Sequence, residues 1–178
     1  PQVTLWRLQI HQRPELAFNE TQTADFISQK LSEWGIEHRR GVAKTGIVAV
    51  ISGHRPGPVL AIRADMDALP IHEMNEVDYR SQQAGVMHAC GHDGHVAISL
   101  GTAYYLAQHR DSFSGTVKII FQPAEEGPGG AKPMIEAGAL ENPDVDAIIG
   151  LHLWNNLPVG TVGVKSGPFM AATEFFHC

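Results

Sequence analysis

Between Met87 and His95 the chain reads Met-His-Ala-Cys-Gly-His-Asp-Gly-His, which places a thiol, three imidazoles and a carboxylate within nine residues. That density of ligating atoms exceeds what a packed core can use and points to a metal site. Cys90 and His92 are two apart, so an extended segment would send both side chains from one face of the backbone toward one or two adjacent ions. Gly91 and Gly94 leave that backbone free to bend around them. Five further residues from three other segments join the cluster as candidates: Asp65 with Asp67, the Glu125-Glu126 pair, and His152. Thiolate and imidazole suit zinc, manganese, cobalt or nickel better than magnesium or calcium.

The elements that must bring these residues together follow from periodicity. A helix is expected over Val3 to Gln12, and a second over Glu20 to Trp34, with Asn19 as N-cap and Gly35 closing it. Ile47 to Ile51 and Val59 to Ile62 are short β-branched runs on either side of a Gly-His-Arg-Pro-Gly-Pro turn, which predicts a hairpin. Val96 to Gln108 predicts a helix, Thr116 to Phe121 a strand, Gly130 to Ala137 a helix and Asp146 to Leu151 an apolar strand. This order argues for an α/β layer fold with a mixed or largely parallel sheet. Asp65, Glu125 and His152 then each follow a strand, and ligand sites in open α/β sheets lie at the carboxyl ends of strands.

The Glu125-Glu126 pair suggests the chemistry. Neighbouring side chains in extended backbone point to opposite sides, so one should bind metal while the other faces the substrate. A carboxylate beside a metal-activated water can take its proton and pass it to a leaving amine, which makes amide hydrolysis the expected reaction.

Composition narrows the alternatives. The 178 residues carry 13 basic and 19 acidic side chains, a net charge of -6, and no basic cluster longer than Arg39-Arg40. A nucleic-acid partner has no electrostatic footprint here. No apolar run approaches a membrane span and the first residues lack the layout of a signal peptide, so a cytoplasmic, non-membrane protein is expected. Only two cysteines are present, Cys90 and Cys178, so a disulfide framework is not what stabilises this domain and Cys90 is expected to function as a reduced thiolate. The Gly127 to Lys132 run lacks the spacing of a phosphate loop and no nucleotide site is expected.

At these residues the chain resembles the hippurate hydrolases, indole-acetyl-amino-acid hydrolases and bacterial N-acyl-amino-acid amidohydrolases, relatives of aminoacylase and carboxypeptidase G. The resemblance is carried by His11 to Glu15 (His-Gln-Arg-Pro-Glu), Arg63 to Pro70 (Arg-Ala-Asp-Met-Asp-Ala-Leu-Pro), Met87 to His95, Gln122 to Gly130 (Gln-Pro-Ala-Glu-Glu-Gly-Pro-Gly-Gly) and Gly150 to Trp154 (Gly-Leu-His-Leu-Trp), in the family's order. It implies a three-layer α/β/α catalytic domain of the zinc-exopeptidase kind that hydrolyses an N-acyl-amino acid to a carboxylic acid and an amino acid. It further implies two divalent ions (Zn, Mn, Co or Ni), with Cys90 bridging them, His92, Glu126 and His152 as ligands and Glu125 as general base. Broader relatives use a His-x-Asp-x-x-Pro segment for a ligand and an orienting acid. Here Asp65 stands in the His position, which leaves its ligand role open and makes Asp67 the orienting acid of the catalytic set.

The same resemblance implies that residues 1–170 are the N-terminal part of an incomplete catalytic domain and that 171–178 begin an inserted lid or dimerisation domain. A fifth metal ligand, a histidine, would lie beyond Cys178, and the full-length form would be a homodimer acting on a small-molecule substrate. His88 and His95 are expected beside the ligands rather than among them. His11, His38, His54, His72 and His109 are expected to be structural or solvated. Two other functions compete: a hydrolase in which Cys90 itself attacks, assisted by His92 or His95, and a non-catalytic metal-binding module.

Overall fold

A computed structural model describes residues Gln2–Ala171. A five-stranded sheet at its centre comprises β1 (Glu37–Val42), β2 (Gly46–Ser52), β3 (Val59–Asp65), β4 (Thr116–Gln122) and β5 (Ala147–Gly150), in the order β1-β2-β4-β3-β5. β3, β4 and β5 run parallel, whereas β2 is antiparallel to both of its neighbours, so the sheet is mixed as expected.

Alternation along the central strands divides two cores. Ile47, Ala49, Ile51, Ile119 and Phe121 face one side, where they pack with Trp6 and Ile10 of α1 (Gln2–His11), Ile27 and Leu31 of α2 (Thr21–Glu33), and Val96 and Leu100 of α3 (His92–Gln108). Val48, Ala61 and Ile120 face the other, against Met134 of α4 (Ala131–Glu136). Helices therefore cover both faces and the expected three-layer α/β/α arrangement holds.

Three local expectations are corrected. The hairpin between Ile47–Ile51 and Val59–Ile62 does not form: β4 lies between those strands, and β2 instead pairs with β1 across the turn at Ala43 and Lys44, both in the left-handed region. β1 reads Glu-His-Arg-Arg-Gly-Val at the sheet edge, and its mostly solvent-facing residues carry no alternation to betray a strand. Asn19 does not cap α2. Its amide donates to the Ala17 carbonyl, and the Glu15 carboxylate reaches over to accept from the N–H groups of Gln22 (3.0 Å) and Thr23 (2.9 Å). An anion there satisfies two unpaired donors at the positive end of the helix. Finally, α3 begins at His92 rather than Val96, so Cys90 and His92 do not share an extended segment.

β5 is an edge strand with exposed side chains, Ile148 and Ile149 among them. The expected start of a further domain at 171–178 falls, after Ala171, outside the described residues.

Candidate metal centre

The parallel strands end together. Asp65 closes β3, Gln122 closes β4 and Gly150 closes β5, and the Met66 N–H donates to the Gln122 carbonyl to hold the first two ends in line. Gly91 adopts φ +83°, a left-handed conformation suited to glycine, and starts α3 directly against those ends. His92 and His95 are three apart in its first turn and so share one face, the one turned to the strand ends.

His92 is the hub. Its Nδ1 donates to the Asp67 carbonyl (2.9 Å) and lies 3.3 Å from the Asp67 carboxylate, which leaves Nε2 facing the site. That Nε2 is 3.6 Å from Asp65 Oδ1, 3.7 Å from Glu126 Oε1 and 3.9 Å from Glu125 Oε2. Cys90 Sγ lies 3.4 Å from His152 Nε2, and His152 Nδ1 donates to the Leu153 carbonyl at 2.6 Å, fixing the ring. Three overlapping groups of ligating atoms each fit within 4.8 Å: Cys90, His92 and His152; Asp65, His92 and His95; His92, Glu125 and Glu126. His92 belongs to all of them.

Two of these atoms require a partner. His92 Nε2 and Glu126 Oε1 are both buried and, among the described residues, neither has a hydrogen bond. Buried polar atoms in that state are costly unless something satisfies them, and a cation between an imidazole nitrogen and a carboxylate oxygen would do so. The donor set of one thiol, two imidazoles and a carboxylate is one that zinc or a neighbouring transition ion accepts. The residues fit a metal centre.

The electrostatics agree. Burial, then the nearby Glu126 carboxylate and the charges of Glu125 and Asp65, push the Cys90 thiol up to about 12. These surroundings are the reverse of those that activate a nucleophilic cysteine, which argues against the thiol-attack alternative. Burial works against charge on His92, but Asp67, Asp65 and Glu126 more than offset it and hold its pKa above the ordinary histidine value. Burial likewise opposes ionisation of Asp65. The hydrogen bond from His95, with His92 and Arg63 nearby, outweighs that and keeps Asp65 below the usual carboxylate range.

The turn carrying the two glutamates is pinned by carboxylates on either side. Asp67 Oδ2 accepts from the Glu126 N–H at 3.0 Å, so Asp67 touches both His92 and the turn. Glu20, fully buried, accepts from the Ala124 N–H at 2.9 Å and from the Thr45 hydroxyl at 2.6 Å. Ala124 sits at φ +53°, a conformation that a non-glycine residue holds only when its surroundings impose it. Replacing Glu20 by Ala would strand a buried N–H and a buried hydroxyl. A loss of about 2 kcal/mol or more in unfolding free energy is expected, read from urea denaturation, with Glu20→Gln milder because its amide oxygen still accepts.

Nothing in the sequence marked Glu20, which reads as an ordinary opening acid of the expected Glu20 to Trp34 helix and lies just before α2. His95 lies next to the candidate ligands and donates to Asp65 Oδ1 at 2.6 Å. His88 is buried at the edge of the site, and burial pushes its pKa down to about 4. His11 lies in a separate buried network, 2.8 Å from Asp93 and 3.1 Å from Glu73.

Residues 61–175, more than half of the chain, match the model of peptidase family M20/M25/M40. The chain belongs to this family. Over 175 residues, 98% of this M20 chain, it is 47% identical to an N-acyl-L-amino acid amidohydrolase of Geobacillus stearothermophilus, of which it covers 47%. It is also 47% identical over 173 residues to a thermostable carboxypeptidase 2 of Saccharolobus solfataricus, covering 96% of this chain and 44% of that one. Among solved structures, the YXEP protein of Bacillus subtilis, described as a dinuclear metal binding peptidase from the M20 family, superposes with a TM-score of 0.89 at 48% identity. That match covers 93% of this M20 chain and 46% of the other. The chain thus spans about half the length of the curated relatives it matches.

Proposed function

We propose that the full-length protein is a metal-dependent amidohydrolase that releases an amino acid and a carboxylic acid from an N-acyl-amino acid. Cys90, His92, Glu126 and His152 would hold two divalent ions, and Zn, Mn, Co or Ni suits this donor set. When bound, such ions polarise a scissile carbonyl and acidify water. Glu125 takes the proton from the attacking water at its carboxylate and delivers it to the departing nitrogen, so that the amino acid leaves as a neutral amine. Asp67 orients His92 and holds the Glu126 backbone.

The observation that carries this reading is the pairing of His92 Nε2 and Glu126 Oε1, both buried and without hydrogen-bond partners among the described residues, beside Glu125, whose side chain is 39% exposed. One carboxylate of the turn is committed inward, while its neighbour remains open to a substrate. A cavity of about 640 Å³ bordered by Cys90, His152, Tyr79 and Trp154 adjoins the site and gives an acyl or amino-acid group room to lie against aromatic walls.

The two named relatives support the substrate class. An N-acyl-amino-acid amidohydrolase and a carboxypeptidase both break an amide whose leaving amine is an amino acid with a free α-carboxylate. A cytoplasmic homodimer is part of the same proposal. Among the described residues no helix is long and apolar enough to cross a membrane.

A substrate panel tests it. Full-length protein, stripped by chelator and reloaded with Mn²⁺ or Zn²⁺, is expected to hydrolyse N-acetyl- and N-benzoyl-amino acids and to leave the corresponding amino-acid amides untouched. Turnover that survives complete chelation, or equal rates on acids and amides, would sink this assignment.

A further inference from the structure

We propose that His95 is the residue that positions His152, by accepting a hydrogen bond from the Leu153 backbone N–H at 2.9 Å on a ring locked from the opposite side by Asp65. The inference rests on the reading that His152 is a metal ligand.

A chain of hydrogen bonds fixes the ring. Gln122, at the end of β4, accepts from Arg63 Nε at 2.9 Å, and Arg63 Nη1 donates to Asp65 Oδ2 at 2.6 Å. Asp65 Oδ1 accepts from His95 Nδ1 at 2.6 Å. The proton on Nδ1 leaves the lone pair on Nε2, and that lone pair meets the Leu153 N–H. Both ring nitrogens are therefore engaged, so His95 does not act as a ligand even though its atoms lie within 4.8 Å of Asp65 and His92.

Among the described residues, the segment it holds has few attachments besides the 3.4 Å contact of Cys90 Sγ with His152 Nε2. Beyond Gly150 the chain leaves the sheet edge, and residues 151–154 are exposed. Two features bind it to α3 next to His152. One is the His95 bond, which spans 58 residues of sequence. The other is the seat of Leu153 on Gly94, where an added Cβ would come within 2.5 Å of Leu153 Cδ1. The His95 ring also meets the His152 ring edge-on, with centroids 4.7 Å apart. A ligand on an edge segment must be oriented from outside itself, and groups behind ligands commonly do this.

Two substitutions separate the halves of the device. Asn at position 95 can keep the donor to Asp65 but is too short to reach Leu153. Gln can place its carbonyl oxygen where Nε2 lies and keep the Leu153 bond. In full-length protein, metal content by elemental analysis, Zn²⁺ and Mn²⁺ affinity by titration, and the visible spectrum of the Co²⁺-loaded form would be compared for H95N, H95Q and H152A, with circular-dichroism melts alongside.

H95N is expected to bind the His152-dependent ion about 10- to 100-fold more weakly with a shifted Co²⁺ spectrum, whereas H95Q stays within a few-fold of the parent. Parental affinity and spectrum in H95N overturn the proposal, as does an H95Q that melts normally yet binds as weakly as H95N. If H95N does not fold, H95Q decides by the same criterion. H152A shows which idea has failed: unchanged metal binding there removes the ligand reading and this proposal with it. Weakened binding in H152A beside parental binding in H95N removes this proposal alone.

Discussion

Replacing Glu125 by Gln is expected to lower kcat on an N-acyl-amino acid by about 10²- to 10⁴-fold while the metal content stays at the parental level. The amide is nearly isosteric and has no basic oxygen to take up a proton, so the exchange removes proton transfer and little else. Glu125 Oε2 stands 3.9 Å from His92 Nε2 on a side chain 39% exposed, close enough to the site to serve it and open enough to meet a substrate. Glu126→Gln provides the contrast. Its Oε1 is the buried oxygen without a partner, and its loss should appear first as weaker metal binding, with the fall in rate following from that. A Glu125→Gln variant that turns over at the parental rate would remove Glu125 from the mechanism. One that loses metal would make it a ligand instead. A purely metal-binding protein would have no activity for Glu125→Gln to abolish, so the same experiment also disposes of the non-catalytic alternative.

The site was more legible in the sequence than the sheet that carries it. Cys90, His92, Glu125, Glu126 and His152 follow strand ends or lie at the start of a helix, and a candidate ligand cluster can be read from residue types without knowing which strand neighbours which. Strand pairing cannot. β2 and β3 are consecutive apolar runs joined by a Gly-Pro turn, which locally favours a hairpin, yet β4 from more than fifty residues later inserts between them and offers Val117, Ile119 and Phe121 to the larger core. Burial of that central strand on both faces outweighs the local turn preference. β1 was illegible for the opposite reason, because an exposed edge needs no apolar alternation.

The supporting groups were hidden in another way. Glu20 acts on Ala124 across 104 residues and His95 on Leu153 across 58, and neither relation leaves a trace in spacing. Even Glu15, inside a segment that carries the family resemblance, shows its purpose only when the fold brings it over the start of α2. Residue types can announce a ligand set, whereas second partners are chosen by proximity in space.

Metal uptake by the metal-free protein is expected to release a proton from Cys90, and that part of its pH dependence should vanish in a Cys90→Ala variant. The thiol stands at about 12, so it is protonated at pH 7 and must lose that proton to bind as a thiolate. The sign follows directly: the proton competes with the ion, so raising the pH strengthens binding, by about tenfold per pH unit for each proton displaced. His92 contributes a second proton below its own raised pKa, and that component should persist in Cys90→Ala. Titration calorimetry in buffers of different ionisation enthalpy counts the protons. The wild-type protein should release one more than the variant at pH 7, and the variant should lose more affinity than the roughly 10- to 100-fold typical of an outer partner. Equal proton release in the two proteins would mean that Cys90 stays a thiol, and the ion-bridging role assigned to it would fall while His92, Glu126 and His152 stood as ligands on their own.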